Sequence, residues 1–353
     1  MQNHKTMKIA LVCNIKRKPK RGESEDKYAE FDDLSTVRAI KNALSGIKGR
    51  AVKIIEADKN AYEKIKRFKP DIAFNIAEGF HGESREAQIP AMLEMLEIPY
   101  TGSGPTTLAI TLNKALTKKI LTYHGILTPR FQVFSSGNEP IDKRLKFPLI
   151  VKLIAEGSSK GLRNNSLVKN EKELIKKVKE VISEYNERVV AEEYLAGIEF
   201  TVAMLGNYGK KQTPTILPII EVTFKHLPKG LNKFDSYESK WIYDSPDAKI
   251  DPLICPAKIS KSLEKKIKET CLKTFLALNC DDWCRIDLRL DRKGIPNVLE
   301  INALPGIIPD PKENSRFPRA ARTAKIPYDK MVNLVLDAAM KRHKLNEANR
   351  NAK

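Results

Sequence analysis

The residues best suited to chemistry lie between Trp283 and Asn302. Trp283-Cys284-Arg285-Ile286-Asp287-Leu288 alternates, and period two puts Arg285 and Asp287 on one face of a strand. Asn297-Val298-Leu299-Glu300-Ile301-Asn302 alternates in the same way and puts Glu300 and Asn302 on one face. Asp291-Arg292-Lys293-Gly294 between them has the composition of a hairpin turn. Antiparallel pairing then brings Asp287 opposite Glu300, with Arg285 and Asn302 nearby. Two carboxylates and an amide oxygen on one sheet face, without His or Cys, suit a hard cation such as Mg²⁺. A cation would also offset their mutual repulsion. A solvent-facing hairpin with polar residues at every second position is the other reading of this spacing.

Three more stretches invite chemical readings. Lys152-Leu-Ile-Ala-Glu156-Gly157-Ser158-Ser159-Lys160-Gly161 is an apolar strand running into a Gly/Ser/Lys loop. Freed backbone amides and hydroxyls of such a loop can cradle phosphate oxygens, although its spacing is not that of a Walker A motif. A flexible surface turn has the same composition. Val189-Val-Ala-Glu192-Glu193-Tyr194-Leu195, followed by Glu199, is a buried strand ending in acids. It can offer backbone groups to a purine and a carboxylate to ribose, or simply expose two glutamates. Lys240-Trp241 sits in a long polar segment, either a lid over a reacting centre or a loop without that role.

The elements that must position these groups read as follows. Strands at Lys8–Ile15, Ala51–Ile55 and Ile72–Ile76 alternate with helices at Leu34–Leu44, Ala61–Phe68 and Arg85–Leu96, with Asp32 or Asp33 capping the first helix. A βαβαβα order implies a parallel sheet. Thr101-Gly-Ser-Gly-Pro105 marks a boundary. A helical stretch to Tyr123, strands at Arg130–Phe134, Leu149–Ile154 and Val189–Glu193, and a helix at Glu171–Tyr185 form a small α+β lobe. Strands at Glu199–Leu205, Thr215–Val222, Trp283–Leu290 and Asn297–Ile301, with a helix at Lys261–Leu278, form a mostly antiparallel third part. A long mobile loop is expected over Phe224–Pro256, and a closing helix near Tyr328–Met340. The expected division is 1–103, 104–195 and 196–341, with a fraying polar tail at 342–353.

The formal charge is +19. The lysines are spread along helix faces without interleaved aromatics, which argues against a nucleic-acid partner and for attraction of anionic nucleotides. Cys13, Cys255, Cys271, Cys280 and Cys284 are scattered and odd in number, so no disulfide framework is implied. Cys280 and Cys284 lack a second ligand pair for zinc and read as buried thiols. No apolar run is long enough for a membrane span and no signal-peptide core is present, so a cytoplasmic location is expected.

Taken in order, these pieces resemble the ATP-grasp superfamily, and within it the D-alanine–D-alanine ligase family, over about Lys8 to Met340. The sharpest stretches are Met92-Leu-Glu-Met-Leu-Glu-Ile-Pro-Tyr-Thr-Gly-Ser-Gly104, Lys152–Gly161, Glu199-Phe-Thr-Val-Ala203, Cys255-Pro-Ala257, Arg285-Ile-Asp287 and Glu300-Ile-Asn302 with Pro305-Gly306. The resemblance implies an α/β ATP-grasp fold of three subdomains and an amide-forming reaction through an acyl phosphate, with small amino-acid-like substrates. Cofactors would be ATP and two Mg²⁺ or Mn²⁺ ions, and dimerisation through the first domain would be a family trait.

By the same resemblance, Lys114 and Lys152 match the nucleotide-phosphate lysines. Ser158 and Ser159 match the phosphate-covering loop, with Ser158 also near substrate. Glu192, Leu195 and Glu199 match the adenine and ribose contacts, and Phe234 the aromatic against adenine. Lys240 matches the γ-phosphate lysine, with Trp241 in the lid where a tyrosine is usual. Asp287, Glu300 and Asn302 match metal ligands. Arg285 and the N–H of Gly306 match the stabilisers of the tetrahedral oxyanion. The departures fall on substrate positions. The family's first loop reads Lys16-Arg-Lys-Pro-Lys-Arg-Gly22, and the place of its amino-binding Glu is Phe31, flanked by Glu30 and Asp32. Its His-Gly reads Glu78-Gly79, with His81 shifted, and its second-substrate serine falls near Pro311. Glu78, His81 and Glu86 are the expected replacements for amino-group recognition.

Overall fold

A computed structural model of the chain describes residues 6–21, 26–210, 212–244 and 251–345. β1 (Met7–Cys13), α1 (Leu34–Ser45), β2 (Arg50–Glu56), α2 (Ala61–Phe68) and β3 (Ile72–Ile76) come first. A 3₁₀ turn at Arg85–Ala87 then runs directly into α3 (Gln88–Met95). The strands form a parallel sheet in the order β2-β1-β3. β1 is nearly continuously apolar because it is covered on both faces, as the central strand of a parallel sheet must be. Asp33 does occupy the N-cap of α1, but its side chain bonds no helix amide and instead lies 4.0 Å from Lys16. Between β1 and α1 the chain makes an excursion: Ile15 bridges Asp32, and residues 26–30 form a turn.

The expected single helix after Pro105 is two, α4 (Pro105–Leu112) and α5 (Lys114–Tyr123). Asn113 separates them because its side chain accepts from the Leu116 N–H at 3.0 Å and starts a new helix. β4 (Phe131–Phe134), β5 (Leu149–Leu153), β6 (Leu167–Val168), α6 (Glu171–Tyr185) and β7 (Val189–Glu193) follow. Their sheet is antiparallel, in the order β4-β7-β5-β6. α6 buries Leu174, Val178 and Val181 in one cluster with Leu149, Val151 and Val189. Its ends are set locally: Asn170 accepts from the Glu173 N–H at 3.0 Å, and Asn186 takes the left-handed C-cap conformation.

The third sheet holds β8 (Glu199–Leu205), β9 (Thr215–Ile216), β10 (Ile220–Val222), β11 (Leu253–Ile254), β12 (Trp283–Leu290) and β13 (Pro296–Asn302). Its order is β11-β10-β8-β12-β13, with β9 also on β8. The strand expected over Thr215–Val222 is broken because Pro218 has no N–H to donate. The segment expected as a loop from Phe224 to Pro256 carries a π-helical stretch, Glu238–Tyr243, and β11. α7 (Lys261–Ala277) packs Ile267, Cys271 and Phe275 on Phe200, Val202, Ile286 and Leu288, which alternate with the polar face of β8 and β12. Cys280 and Cys284 are buried in the same cluster.

α8 (Arg316–Thr323) was not legible, since Pro318 argues against a helix. In the first turn, however, the missing N–H would have had no partner anyway. α9 (Tyr328–Arg342) then closes the described chain, and the expected fraying tail lies outside it from residue 346. α8 and α9 share one core with β1, α1 and Trp283, whose ring meets Phe74 at 6.0 Å and Phe317 at 5.6 Å. Among the described residues no helix is long and apolar enough to cross a membrane.

Candidate active site

A cavity of about 640 Å³ is walled by the two antiparallel sheets and by loops that follow strands of the parallel one. The alternation in β12 and β13 aims their polar residues into it as expected: Asp287 pairs with Glu300 and Arg285 with Asn302. A bulge after Asp287 shifts the register beyond that pair. Asp287 is 6% exposed. It accepts two bonds from Arg285, at 3.1 and 2.9 Å, and one from the Thr201 hydroxyl. Burial would raise its carboxyl, but Arg285 holds it down to about 2. The Asn302 amide lies 3.3 Å from Asp287. A half-turn of that amide exchanges nitrogen for oxygen, completing a set of two carboxylates and one carbonyl. This all-oxygen donor set fits a hard cation.

On the central sheet, Lys152 projects from β5 and Glu192 from β7. Glu192 is 2% exposed and bonds Lys152 at 2.6 Å and Lys118 at 2.8 Å. Burial pushes its carboxyl up, but the two lysines outweigh that and hold it near 2. Glu192 lines the cavity as expected, and its carboxylate is also paired inside the protein with a lysine, Lys118, that sequence reasoning missed. Lys114 stands at the first position of α5 and donates to the Glu156 carbonyl.

The loop after β5 has two successive serines at positive φ, Ser158 at 49° and Ser159 at 59°. Each such non-Gly residue costs about 1–3 kcal/mol and persists only where its surroundings impose it. The Ser159 hydroxyl donates to the Asp235 carbonyl at 2.7 Å, and the Tyr237 N–H to the Leu162 carbonyl at 2.8 Å. The segment carrying Phe234 and Lys240 thus lies against the serine loop. Phe234, 3% exposed, lines the cavity with Leu195 and Glu199. Burial lifts the Glu199 carboxyl to about 7 despite Arg289 at 3.2 Å. Lys240 also lines the cavity, and burial lowers its pKa. The side chain of Trp241 lies outside the described residues.

The remaining wall carries Phe31, Asp32, Glu78, Glu86, Gly306, Ser315 and Arg316. His81 is corrected: it is exposed and outside the cavity. Pro311 is exposed as well, and the serine that reaches the cavity is Ser315, four residues on, whose hydroxyl contacts the Ile308 N–H at 3.1 Å and the Gly306 carbonyl at 3.3 Å. Sequence reasoning also missed Arg316, which pairs with Asp235 at 2.8 Å. The only signal was a charge directly after a serine in a stretch given no element.

Glu78 and Glu86 share a hydrogen bond. Burial raises both; after it, Glu86 is the next cause for Glu78, and Glu30 the next for Glu86, which is lifted to about 8. A carboxyl raised on folding costs stability as pH climbs from its unfolded value toward the folded one. Glu86→Gln is therefore expected to stabilise the protein at pH 8 by on the order of 2 kcal/mol, and much less at pH 4.5. Melting curves at the two pH values check this, and an equal gain at both would contradict a raised Glu86 carboxyl.

Two antiparallel sheets closing on one cavity beneath a serine-bearing loop make this an ATP-grasp ligase. Residues 120–337 match the family model described as the D-ala D-ala ligase C-terminus. The D-alanine–D-alanine ligase of Carboxydothermus hydrogenoformans is 34% identical over 339 residues, spanning 94% of this chain and 97% of that one. The uncharacterized protein y4sG of Sinorhizobium fredii is 34% identical over 357 residues, spanning 96% and 98%. The chain belongs to the D-alanine–D-alanine ligase family. In fold it is similar to the Bacillus anthracis D-alanine–D-alanine ligase complexed with ATP, at TM-score 0.71 and 24% identity over 96% of this chain and 99% of that one. It is also similar to the VanG D-Ala:D-Ser ligase of Enterococcus faecalis, at TM-score 0.70 and 20% identity over 95% and 100%.

Proposed function

We propose that the protein joins a carboxylate to an amine at the expense of ATP, through an acyl phosphate, with D-alanine in both roles and peptidoglycan precursors as the destination. One observation carries this reading. Lys114, Lys152, Ser158, Ser159 and Lys240 converge on the same cavity as Asp287, Glu300 and Asn302. Adenine would lie against Phe234 and Leu195, with its ribose toward Glu199. The lysines would hold the phosphates, and the serine loop would cover them. Asp287, Glu300 and Asn302 would hold Mg²⁺ or Mn²⁺, which when bound supplies charge neutralisation at the terminal phosphates. The first substrate's carboxylate attacks the γ-phosphorus and ADP leaves. The second substrate's amine attacks the acyl carbon, and Arg285 and the Gly306 N–H stabilise the oxyanion before phosphate departs. Catalysis on this reading is positioning and charge stabilisation. The three sheets suit subdomains divided near residues 103 and 195.

Specific observations favour a second reading, in which the ligase takes other substrates. Phe31 stands where the amino-binding Glu is expected, and Glu78 and Glu86 form a carboxyl pair in the first-substrate wall. Arg316, paired with Asp235, stands beside Ser315 in the cavity wall. Phosphate release with ATP, Mg²⁺ and a panel of amino and hydroxy acids separates the two. Release with millimolar D-alanine alone supports the first reading. Release only with another acid replaces it with the second, and no release with any acid overturns both.

A further inference from the structure

Two carboxylates on one turn of the first domain grip both ends of the loop from Gly157 to Gly161. Glu30 Oε1 accepts from the Gly157 N–H at 2.6 Å. Asp26 Oδ2 accepts from the Gly161 N–H at 3.1 Å and from the Tyr185 hydroxyl at 3.0 Å. Neither carboxylate swings loosely. Asp26 is 1% exposed. Glu30 Oε2 is held at 2.6 Å by Arg85, which also binds the Ala155 carbonyl at 2.7 Å and Glu156 at 2.9 Å. Between the two grips lie Ser158 and Ser159 in their left-handed conformation, which needs imposed restraint to persist. A Cβ built on Gly157 would sit 2.6 Å from Glu30 Oε1, and its other near neighbours are also Glu30 atoms. The backbone at Gly157 would otherwise accept alanine, since its φ is not positive.

We propose that Asp26 and Glu30 are positioning residues for the nucleotide. Acting through the amides of Gly161 and Gly157, they hold the serine loop in its phosphate-covering shape. This rests on the reading of that loop given above. It makes ATP affinity depend on a turn of the first domain whose Glu30 acts through the Gly157 amide at the edge of the cavity.

The test uses the full chain, hydrogen exchange, and calorimetric binding of the ATP analogue AMP-PNP with Mg²⁺. Asp26→Ala and Glu30→Ala are each expected to weaken AMP-PNP by about 10-fold and to speed amide exchange in the loop peptide by a similar factor, leaving peptides of β8 and β12 unchanged. Gly157→Ala should weaken binding as much in the otherwise native chain, because the methyl displaces Glu30. In a Glu30→Ala background the same change should add less than about 2-fold, since the obstacle is gone. Unaltered affinity and loop exchange in these variants, or additive effects of Gly157→Ala and Glu30→Ala, would overturn the proposal. Should Glu30→Ala not fold, Gly157→Ala carries the test alone, because it removes no charge; native affinity and native exchange in it would overturn the proposal. Failure of the unaltered chain to bind AMP-PNP would count against the nucleotide reading instead, and the exchange measurement, which needs no ligand, would still decide on the grip.

Discussion

Glu300→Gln is expected to lower ATP turnover by at least about 10³-fold while moving the melting temperature by no more than about 2 °C. Glu300 is half-buried and faces the cavity from β13, so the amide replaces it without disturbing the core. Losing one charged group that stabilises the transition state costs on the order of 10²–10³ in rate. Loss of a shared cation would add to that. Asp287→Asn should lose turnover to a similar extent but should also destabilise, because the buried carboxylate is the partner of Arg285 and Thr201. The contrast separates a chemical role from a structural one. Turnover within 10-fold of native in Glu300→Gln would remove Glu300 from the proposed cation site.

Glu192→Gln is expected to have the largest effect on stability. It leaves Lys118, fully buried, and Lys152 facing each other without their shared counter-charge. Breaking such a buried arrangement costs about 3–5 kcal/mol, on the order of 5–10 °C in a chain of this size. The pH dependence has a definite sign. Glu192 is held near 2, below its unfolded value of about 4.3, so its contribution is complete above that value and is lost as pH falls toward 2. The gap between native and Glu192→Gln melting temperatures should therefore narrow between about pH 4.3 and 2. A gap that stays constant over that window would mean the carboxylate is not what offsets the two lysines.

Much of the site was legible because it rests on short-range periodicity. Alternation put Arg285 with Asp287 and Glu300 with Asn302, but the register continued from the turn would set Asp287 opposite Leu299, and only the bulge after Asp287, which no local pattern announced, pairs 287 with 300. Periodicity also served for α6 and for β7, β8 and β12, whose expected bounds match those observed. Elements failed to show where a single proline carried opposite meanings. Pro218 broke a strand expected to be continuous, whereas Pro318 was harmless in the first turn of α8.

What sequence determined by itself was the set of groups that one strand, hairpin or loop can present: the carboxylate and amide side chains of two strands, the Gly/Ser/Lys loop, and the lysine that projects from the strand before it. Tertiary structure decided which of them are spoken for. Glu192 belongs to two lysines, Glu30 to Arg85 and Gly157, and Arg316 to Asp235, while His81 stands in solvent. The reason is that these ion pairs join residues tens of positions apart, and burial sets their strength. Both follow from how the three sheets close on one another, which no local pattern encodes.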